Sequence, residues 1–422
     1  GGTGDLQVDA GTLATTGTGG DLWIGTAGTG TLTVDGGAVA LGGTLGRLIV
    51  ADAANAGTAT LTSGSISATQ VYIGGGTPGA GAGTFNLDGG ILTLTGGANN
   101  SFVSRAGGTG TYVFNFNGGT LTTTAAQNNL LRGAVTYQVD AGGAIFDTVN
   151  GNLTVLQPLL TAGGSDGGLT KAGVNTLTLT GANLYNGETT VNAGTLFVGG
   201  VSADAPGALV INNGGTVTGA GAGQYNYFDA FTSTTLNTGG ILTAVGGAHG
   251  MNPVIMSGGT LAYGGTPDAS VGSWSFHGTG ATDIFCTSNS TITADGLNSE
   301  LATGVKIDVS ADRTLSVSGT FTAPAARPVY GLTKVGDGTL ELTGDNTYTG
   351  TTTANGGTLQ FNGGSLAAGG QLLVGNAATG TMLMDGSVGT LTFNNGNPNY
   401  VGVGGGTGDL QVDAGTLATT GT

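Results

Sequence analysis

Apolar and polar residues alternate in short runs along the whole of this chain, and glycine-containing pairs end the runs. In the segments 5–9, 31–35 and 176–180 every second residue is Leu or Val. Such alternation is typical of β-strands, because successive side chains point to opposite faces. Pairs such as Asp35-Gly36 and Asp88-Gly89 follow, where glycine adopts positive φ at little cost. The pattern predicts short strands and tight turns, with one face of each strand in solvent.

The composition excludes the main alternatives to an all-β fold. Glycine accounts for 90 of the 422 residues, and in a helix interior it costs about 1 kcal/mol relative to alanine, so an α-rich domain is excluded. Hydrophobic residues make up 38% and charged residues 8% of the chain, which is unlike highly charged disordered segments. The glycines follow no strict third-residue period, which excludes collagen.

Two all-β architectures fit this rhythm, namely a series of sandwich domains and a solenoid of stacked parallel coils, where a coil is one winding of the chain. Sandwich domains are usually separated by linkers every ~100 residues. Here the same Gly-Thr-Leu phrase continues throughout, which favours a β-solenoid. Coils of ~18 to 25 residues would divide a 404-residue unit into about 16 to 22 coils.

The first eighteen residues, 1–18, are identical to the last eighteen, 405–422. This identity predicts that residues 1–404 form one unit and that 405–422 start the next. We find no capping segment at either end, although natural repeat proteins usually cover their open strand edges. We therefore expect one continuous solenoid over 1–422, uncapped at both ends. Its partners would be copies of itself, end to end, with a covalent tandem array favoured over separate subunits.

Two segments, 168–200 and 331–363, align without a gap at an offset of 163 residues. Their shared positions are Lys171 and Lys334, Asn183 and Asn346, Tyr185 and Tyr348, and Gly187 and Gly350. Both segments resemble the autotransporter-associated β-strand repeat of large bacterial surface proteins. The resemblance implies an extracellular, right-handed parallel β-helix, in which these eight residues have a structural role.

The segment 224–330 departs from the regular pattern and collects large side chains. The candidates for a lateral interface between solenoids are Tyr225, Tyr227, Phe228, Phe231 and Trp274. Aromatic residues are enriched at protein interfaces, and lateral contact is the functional interpretation. The interpretation that we favour is a wider coil with a bulkier core.

Charge and reactive residues argue against several other functions. The net charge is −16, and the eight Lys and Arg residues are scattered, so we expect no nucleic acid partner and no membrane insertion in this segment. Cys286 is the one cysteine and cannot form a bridge within the chain. The segment 1–5, Gly-Gly-Thr-Gly-Asp, nearly matches a calcium-binding repeat, but we expect at most weak calcium association and no cofactor.

No arrangement of residues predicts catalysis. His249 and His277 are isolated in the sequence, and glutamate occurs only at Glu188, Glu300 and Glu341, whereas β-helical polysaccharide lyases and hydrolases need clustered carboxylates. We therefore predict a non-enzymatic structural protein, on the bacterial surface or outside the cell, that forms a long filament or surface fibre. The alternative is an adhesin-type passenger that binds host cells, neighbouring cells or glycans.

Overall fold

The computed structural model describes residues 2–52, 54–75, 81–100, 102–104, 109–199, 207–220, 228–247, 249–265, 273–277, 282–299, 304–322, 330–393 and 396–419. Within these ranges the chain contains β-strands and no helix. It divides into two compact units, Gly1–Gly207 and Ala208–Thr422. In the described ranges both units are parallel β-solenoids, and together they contain about 15 coils, so the predicted all-β solenoid fold is confirmed.

The strands of the first unit are short and closely spaced. They are β1 Thr3–Val8, β2 Thr12–Thr15, β3 Leu22–Ile24, β4 Thr29–Leu41, β5 Arg47–Val50, β6 Ala56–Ala68, β7 Gln70–Ile73, β8 Ala82–Leu87, β9 Ile91–Leu94, β10 Val103–Ser104, β11 Thr111–Phe116, β12 Thr120–Thr123, β13 Thr136–Val139, β14 Ala144–Asp147, β15 Leu153–Val155, β16 Leu159–Thr161, β17 Leu169–Ala172, β18 Thr176–Leu179, β19 Thr189–Val191 and β20 Gly194–Val198.

The second unit continues in the same style. Its strands are β21 Leu209–Ile211, β22 Gly215–Ala220, β23 Thr234–Asn237, β24 Ile241–Val245, β25 His249–Met251, β26 Val254–Ser257, β27 Thr260–Leu261, β28 Trp274–Phe276, β29 Ile284–Ser288, β30 Ser290–Ile292, β31 Leu297–Ser299, β32 Val305–Val309, β33 Thr314–Val317, β34 Leu332–Val335, β35 Thr339–Leu342, β36 Thr352–Ala354, β37 Gly357–Phe361, β38 Leu366–Gly369, β39 Leu372–Asn376, β40 Gly380–Met384, β41 Thr390–Phe393, β42 Tyr400–Val403, β43 Gly408–Val412 and β44 Thr416–Thr419.

Strands of successive coils pair in parallel and form long columns. In the first unit one column is β1–β4–β6–β8–β11–β13–β16, and a second starts at β2 and follows β4, β6, β9, β12, β14, β17 and β19. The second unit has two long columns. One runs from β21 through β23, β26, β29, β32, β34, β36 and β39 to β42. The other runs from β22 through β24, β27, β30, β33, β35, β37 and β40 to β43. Parallel pairing in register places equivalent side chains on top of one another.

The core consists of ladders of inward apolar side chains. In the first unit Leu32, Ala59, Phe85 and Phe114 follow one another in register, and each is at most 1% exposed. The rings of Phe85 and Phe114 stack with their centroids 4.9 Å apart and their planes at 2°. Burial of such side chains contributes about 1.5–3 kcal/mol each, so these ladders are the main source of stability.

Two details differ from the prediction. Many coils are longer than the predicted 18 to 25 residues, as with Gly30 and Gly57, which are in register, and longer coils make fewer of them. The expectation of one solvent face per strand is wrong for β25, β28 and β31, whose residues are all buried. In β25 the side chains of His277 and Asp229 lie over Gly250 and cover the face that would otherwise meet water.

Candidate functional site

The most unusual chemistry of this chain is a pair of lysine side chains enclosed within the solenoids. Lys171 and Lys334 are both 0% exposed, a rare position for an ammonium group. Lys171 Nζ donates hydrogen bonds to the carbonyl oxygens of Ala172 at 2.8 Å, Gly173 at 2.7 Å and Ala193 at 2.8 Å. The three acceptors satisfy all three donors of the ammonium.

Lys334 repeats this arrangement in the second unit. Its Nζ donates to the carbonyl oxygens of Val335 at 2.8 Å, Gly336 at 2.7 Å and Gly356 at 3.1 Å. In both cases two acceptors belong to the lysine's own coil and the third belongs to the following coil. The ammonium therefore joins successive coils, and we call each such group a lysine clamp.

The local sequence explains how each clamp forms. In β17 the inward positions are Leu169 and Lys171, because alternate side chains share a face. The strand ends at Ala172, and Gly173 follows with a φ of 75°, a conformation that glycine adopts freely. The second clamp has the same turn, with φ of 77° at Gly336. This turn directs two successive carbonyl groups at the ammonium.

Burial is the main influence on the pKa of both clamps. It lowers the pKa of Lys171 to about 8, and the negative charge of Asp147 partly opposes this effect. The pKa of Lys334 is also lowered to about 8 by burial, opposed by the charges of Asp308 and Asp337. Burial of an ammonium disfavours its charged form, which is the expected direction.

The asparagine that both motif copies share connects its coil to the preceding one. Asn346 is 1% exposed, and its Oδ1 accepts a hydrogen bond from Phe321 N at 2.9 Å while Nδ2 donates to Gly344 O at 2.8 Å. Asn183 makes the equivalent contacts, with Leu159 N and Gly181 O, both at 3.0 Å. The side-chain amide thus supplies a hydrogen bond between coils that the backbone of the loop does not make.

The tyrosine and glycine of the motif complete the packing. Tyr348 and Tyr185 are buried, and their hydroxyls bond the buried hydroxyls of Thr352 and Thr189 at 2.8 Å. Burial raises the pKa of Tyr185 to about 12. Gly350 leaves no room for a side chain, because a Cβ atom would overlap the backbone of Tyr330.

The equivalent glycine of the first copy, Gly187, is in the same situation against the backbone of Gly168 and Asp166. All eight motif residues therefore contact other parts of their own solenoid. The lysine and asparagine side chains join neighbouring coils, and the tyrosine hydroxyls bond threonines four residues further along the chain, so the motif has a structural explanation.

The aromatic candidates for a lateral interface are placed differently from the prediction. Phe228 and Trp274 are 0% exposed and Phe231 is 3% exposed. The Phe228 and Trp274 ring centroids are 5.4 Å apart, and the Trp274 indole N–H donates to Ala262 O at 3.0 Å. The prediction of a lateral interface is therefore wrong for these three residues. They form a bulkier core, and their buried side chains cannot contact a neighbouring solenoid. Tyr225 and Tyr227 lie outside the described residues.

The remaining reactive groups do not assemble into a site in the described part of the chain. Those ranges contain no group of three or more His, Cys, Asp or Glu residues that could hold a metal ion. Cys286 is 1% exposed, its thiol donates to Ser288 O at 3.0 Å, and burial raises its pKa. A search for long apolar helices that could span a membrane found none among the described residues.

Comparison with known proteins agrees with the motif. The family described as passenger-associated-transport-repeat matches residues 169–198 and 332–361, which contain both clamps. The chain is also 31% identical over 268 residues to a protein named Adhesin BmaC autotransporter, from Brucella suis biovar 1 (strain 1330). The similarity covers 51% of this chain and 8% of that relative. This chain carries two passenger-associated-transport-repeats and is similar to part of an autotransporter adhesin.

Proposed function

We propose that this chain is a structural segment of an extracellular passenger, and that repetition of its 404-residue unit builds a long surface fibre. The observation that carries the proposal is the use of the motif's polar side chains. Lys171, Asn183 and Tyr185 each bond to groups of their own solenoid, and the second copy does the same. Side chains that hold coils together support a scaffold role.

The similarity to an autotransporter adhesin supports the surface location and a non-enzymatic role. Because the matched part is 8% of that relative, a long parent protein is consistent with the comparison. The identity of residues 1–18 with 405–422 supports repetition of the unit along one polypeptide.

Two measurements on the source cells test this proposal. We expect antibodies raised against the 422-residue chain to label intact cells, and we expect the denatured parent polypeptide to be far heavier than 40.5 kDa. Labelling only after permeabilisation would contradict the surface location. A parent mass near 40.5 kDa would contradict the covalent array, since separate subunits would then form any fibre.

Adhesion is the second candidate, and the relative's name favours it. Beads coated with the purified chain test it directly. If the chain itself is the adhesive part, beads bind host or bacterial cells saturably, and soluble chain competes. If coated beads bind no better than albumin-coated beads, this segment is a spacer and adhesion resides elsewhere in the parent protein.

A further inference from the structure

The eighteen-residue segment that occurs twice is paired on a different side in each copy. In the first copy Leu6 and Val8 of β1 are in register with Leu32 and Val34 of the following coil. In the second copy the same two residues, numbered Leu410 and Val412, are in register with Met382 and Met384 of the preceding coil. The second strand of the segment also pairs with the following coil in the first copy and with the preceding coil in the second copy. Leu13 is opposite Val39, and Leu417 is opposite Leu391.

Each copy lacks the neighbour that the other copy has. The same valine is 7% exposed as Val8 and 46% exposed as Val412. The inward residues Met382, Leu410 and Leu32 are all large and apolar, so one copy of the segment could lie between both neighbours without a polar mismatch. β43 begins one residue later than its counterpart β1, and β2 and β44 span equivalent residues.

The glycine that begins β43 gives independent evidence. Beside Gly408 lie Val401, whose Cγ1 would be 2.9 Å from an added Cβ, and the backbone of Gly402. The identical residue in the first copy, Gly4, has nothing within 4 Å of that position. It lines an open pocket of about 420 Å³, together with residues 22–31. The pocket thus corresponds to the place that β42 fills in the second copy.

Exposed apolar side chains mark the same two edges. Trp23, which lines the pocket, is 42% exposed. In β42 Tyr400 and Val401 are 41% and 48% exposed. Both strands directly precede the strand that contains the paired glycine, since β3 precedes β4 and β42 precedes β43. Large exposed hydrophobic groups at a strand edge are a liability unless another surface covers them.

We propose that the eighteen-residue segment is a joint, and that the partner at both edges is a second copy of this unit. One copy of the segment pairs with residues 380–393 of one unit on one side and with residues 29–41 of the next unit on the other. β42 then fills the pocket against Trp23 of the next unit, and the neighbouring unit covers both open edges. This inference rests on the proposed repetition of the unit and specifies its geometry.

The two tryptophans of each unit provide a test that needs no substitution. Trp23 is 42% and Trp274 0% exposed, so acrylamide should reach about half of the emission of the 422-residue chain, measured where that chain is monomeric. In a two-unit chain, residues 1–404 followed by 1–422, the joint covers one of the two Trp23 side chains. The expected accessible fraction is then about a quarter, and a fraction that stays near half overturns the joint.

Two variants make the result specific. Trp23→Phe in the 422-residue chain identifies the quenchable emission, which should disappear. Val401→Asp in the first unit of the two-unit chain should return the accessible fraction to about half, and no effect of this change would contradict the packing of β42 against Trp23. Acrylamide quenching is measured on purified chains and antibody labelling on cells. The two tests are therefore independent, and either the joint or the surface location can be contradicted while the other is supported.

Discussion

Removal of a lysine clamp should destabilise the solenoid more than the loss of any other single charge in the described chain. In Lys171→Met the side chain keeps a similar length, but three carbonyl oxygens lose the donor that lies 2.7–2.8 Å away. A buried acceptor without a partner costs about 1–3 kcal/mol. The variant avoids burial of a charge, which offsets part of this loss. The carbonyl oxygen of Ala172 keeps its hydrogen bonds from Thr148, whereas those of Gly173 and Ala193 lose the ammonium donor, so we expect a net cost of about 2–4 kcal/mol.

The effect should be local, because a solenoid opens coil by coil. We therefore propose native-state hydrogen exchange of the amides in β19, the strand that follows the clamp, with urea unfolding as a second measurement. A loss of about 3 kcal/mol accelerates exchange roughly a hundredfold. Lys306→Met is the matched control, since Lys306 is a half-buried lysine between two inward residues of β32. If Lys171→Met changes exchange no more than Lys306→Met, the clamp has no stabilising role.

Three further predictions concern the second motif copy. The Lys334 pKa of about 8 lies below the ordinary 10.5. The unfolded chain therefore binds more protons above pH 8, and the free energy of unfolding should rise with pH from about 8 to 10.5. The difference in unfolding free energy between wild type and Lys334→Met should change by up to about 3 kcal/mol between pH 7 and 10.5, and a constant difference would refute this. Gly350→Ala should cost about 2 kcal/mol or more in urea unfolding because its Cβ meets backbone, whereas Gly19→Ala, in open space, should be neutral; equal effects would exclude the close approach. Tyr348→Phe should cost about 1–2 kcal/mol by leaving the buried Thr352 hydroxyl without this partner, and a double-mutant cycle with Thr352→Val that shows no coupling would contradict that bond.

The sequence predicts the general fold well because the determining signals are local. Alternation at Leu6 and Val8 and glycine-containing turns suffice to indicate strands, and the unbroken rhythm indicates a solenoid. The shared motif predicts a structural role for Lys171 and Lys334, but it does not predict that they are buried. The alternation does indicate it, since Lys171 lies two residues after the inward Leu169 and therefore on the same face of the strand. Its three acceptors are backbone carbonyls, and sequence patterns do not show where carbonyl groups point.

The aromatic residues show the limit of composition as evidence. Phe228 and Trp274 could be assigned to a core or a surface from the sequence, because aromatic side chains suit both environments. Alternation could not decide, since β28 is buried on both faces and the usual period of two carries no information there. Their placement depends on which distant segments cover the strand, and that is a property of the tertiary structure.

The position of the lysine clamps has a mechanical consequence. In the proposed surface fibre, tension along the stacked solenoid would peel it one coil at a time, because each coil is held mainly by its two neighbours. A clamp joins its own coil to the following one through Ala193 in the first unit and Gly356 in the second. Peeling should therefore pause at β17 and β34, so that a stretched chain keeps its folded segments on either side and shortens again when the load falls.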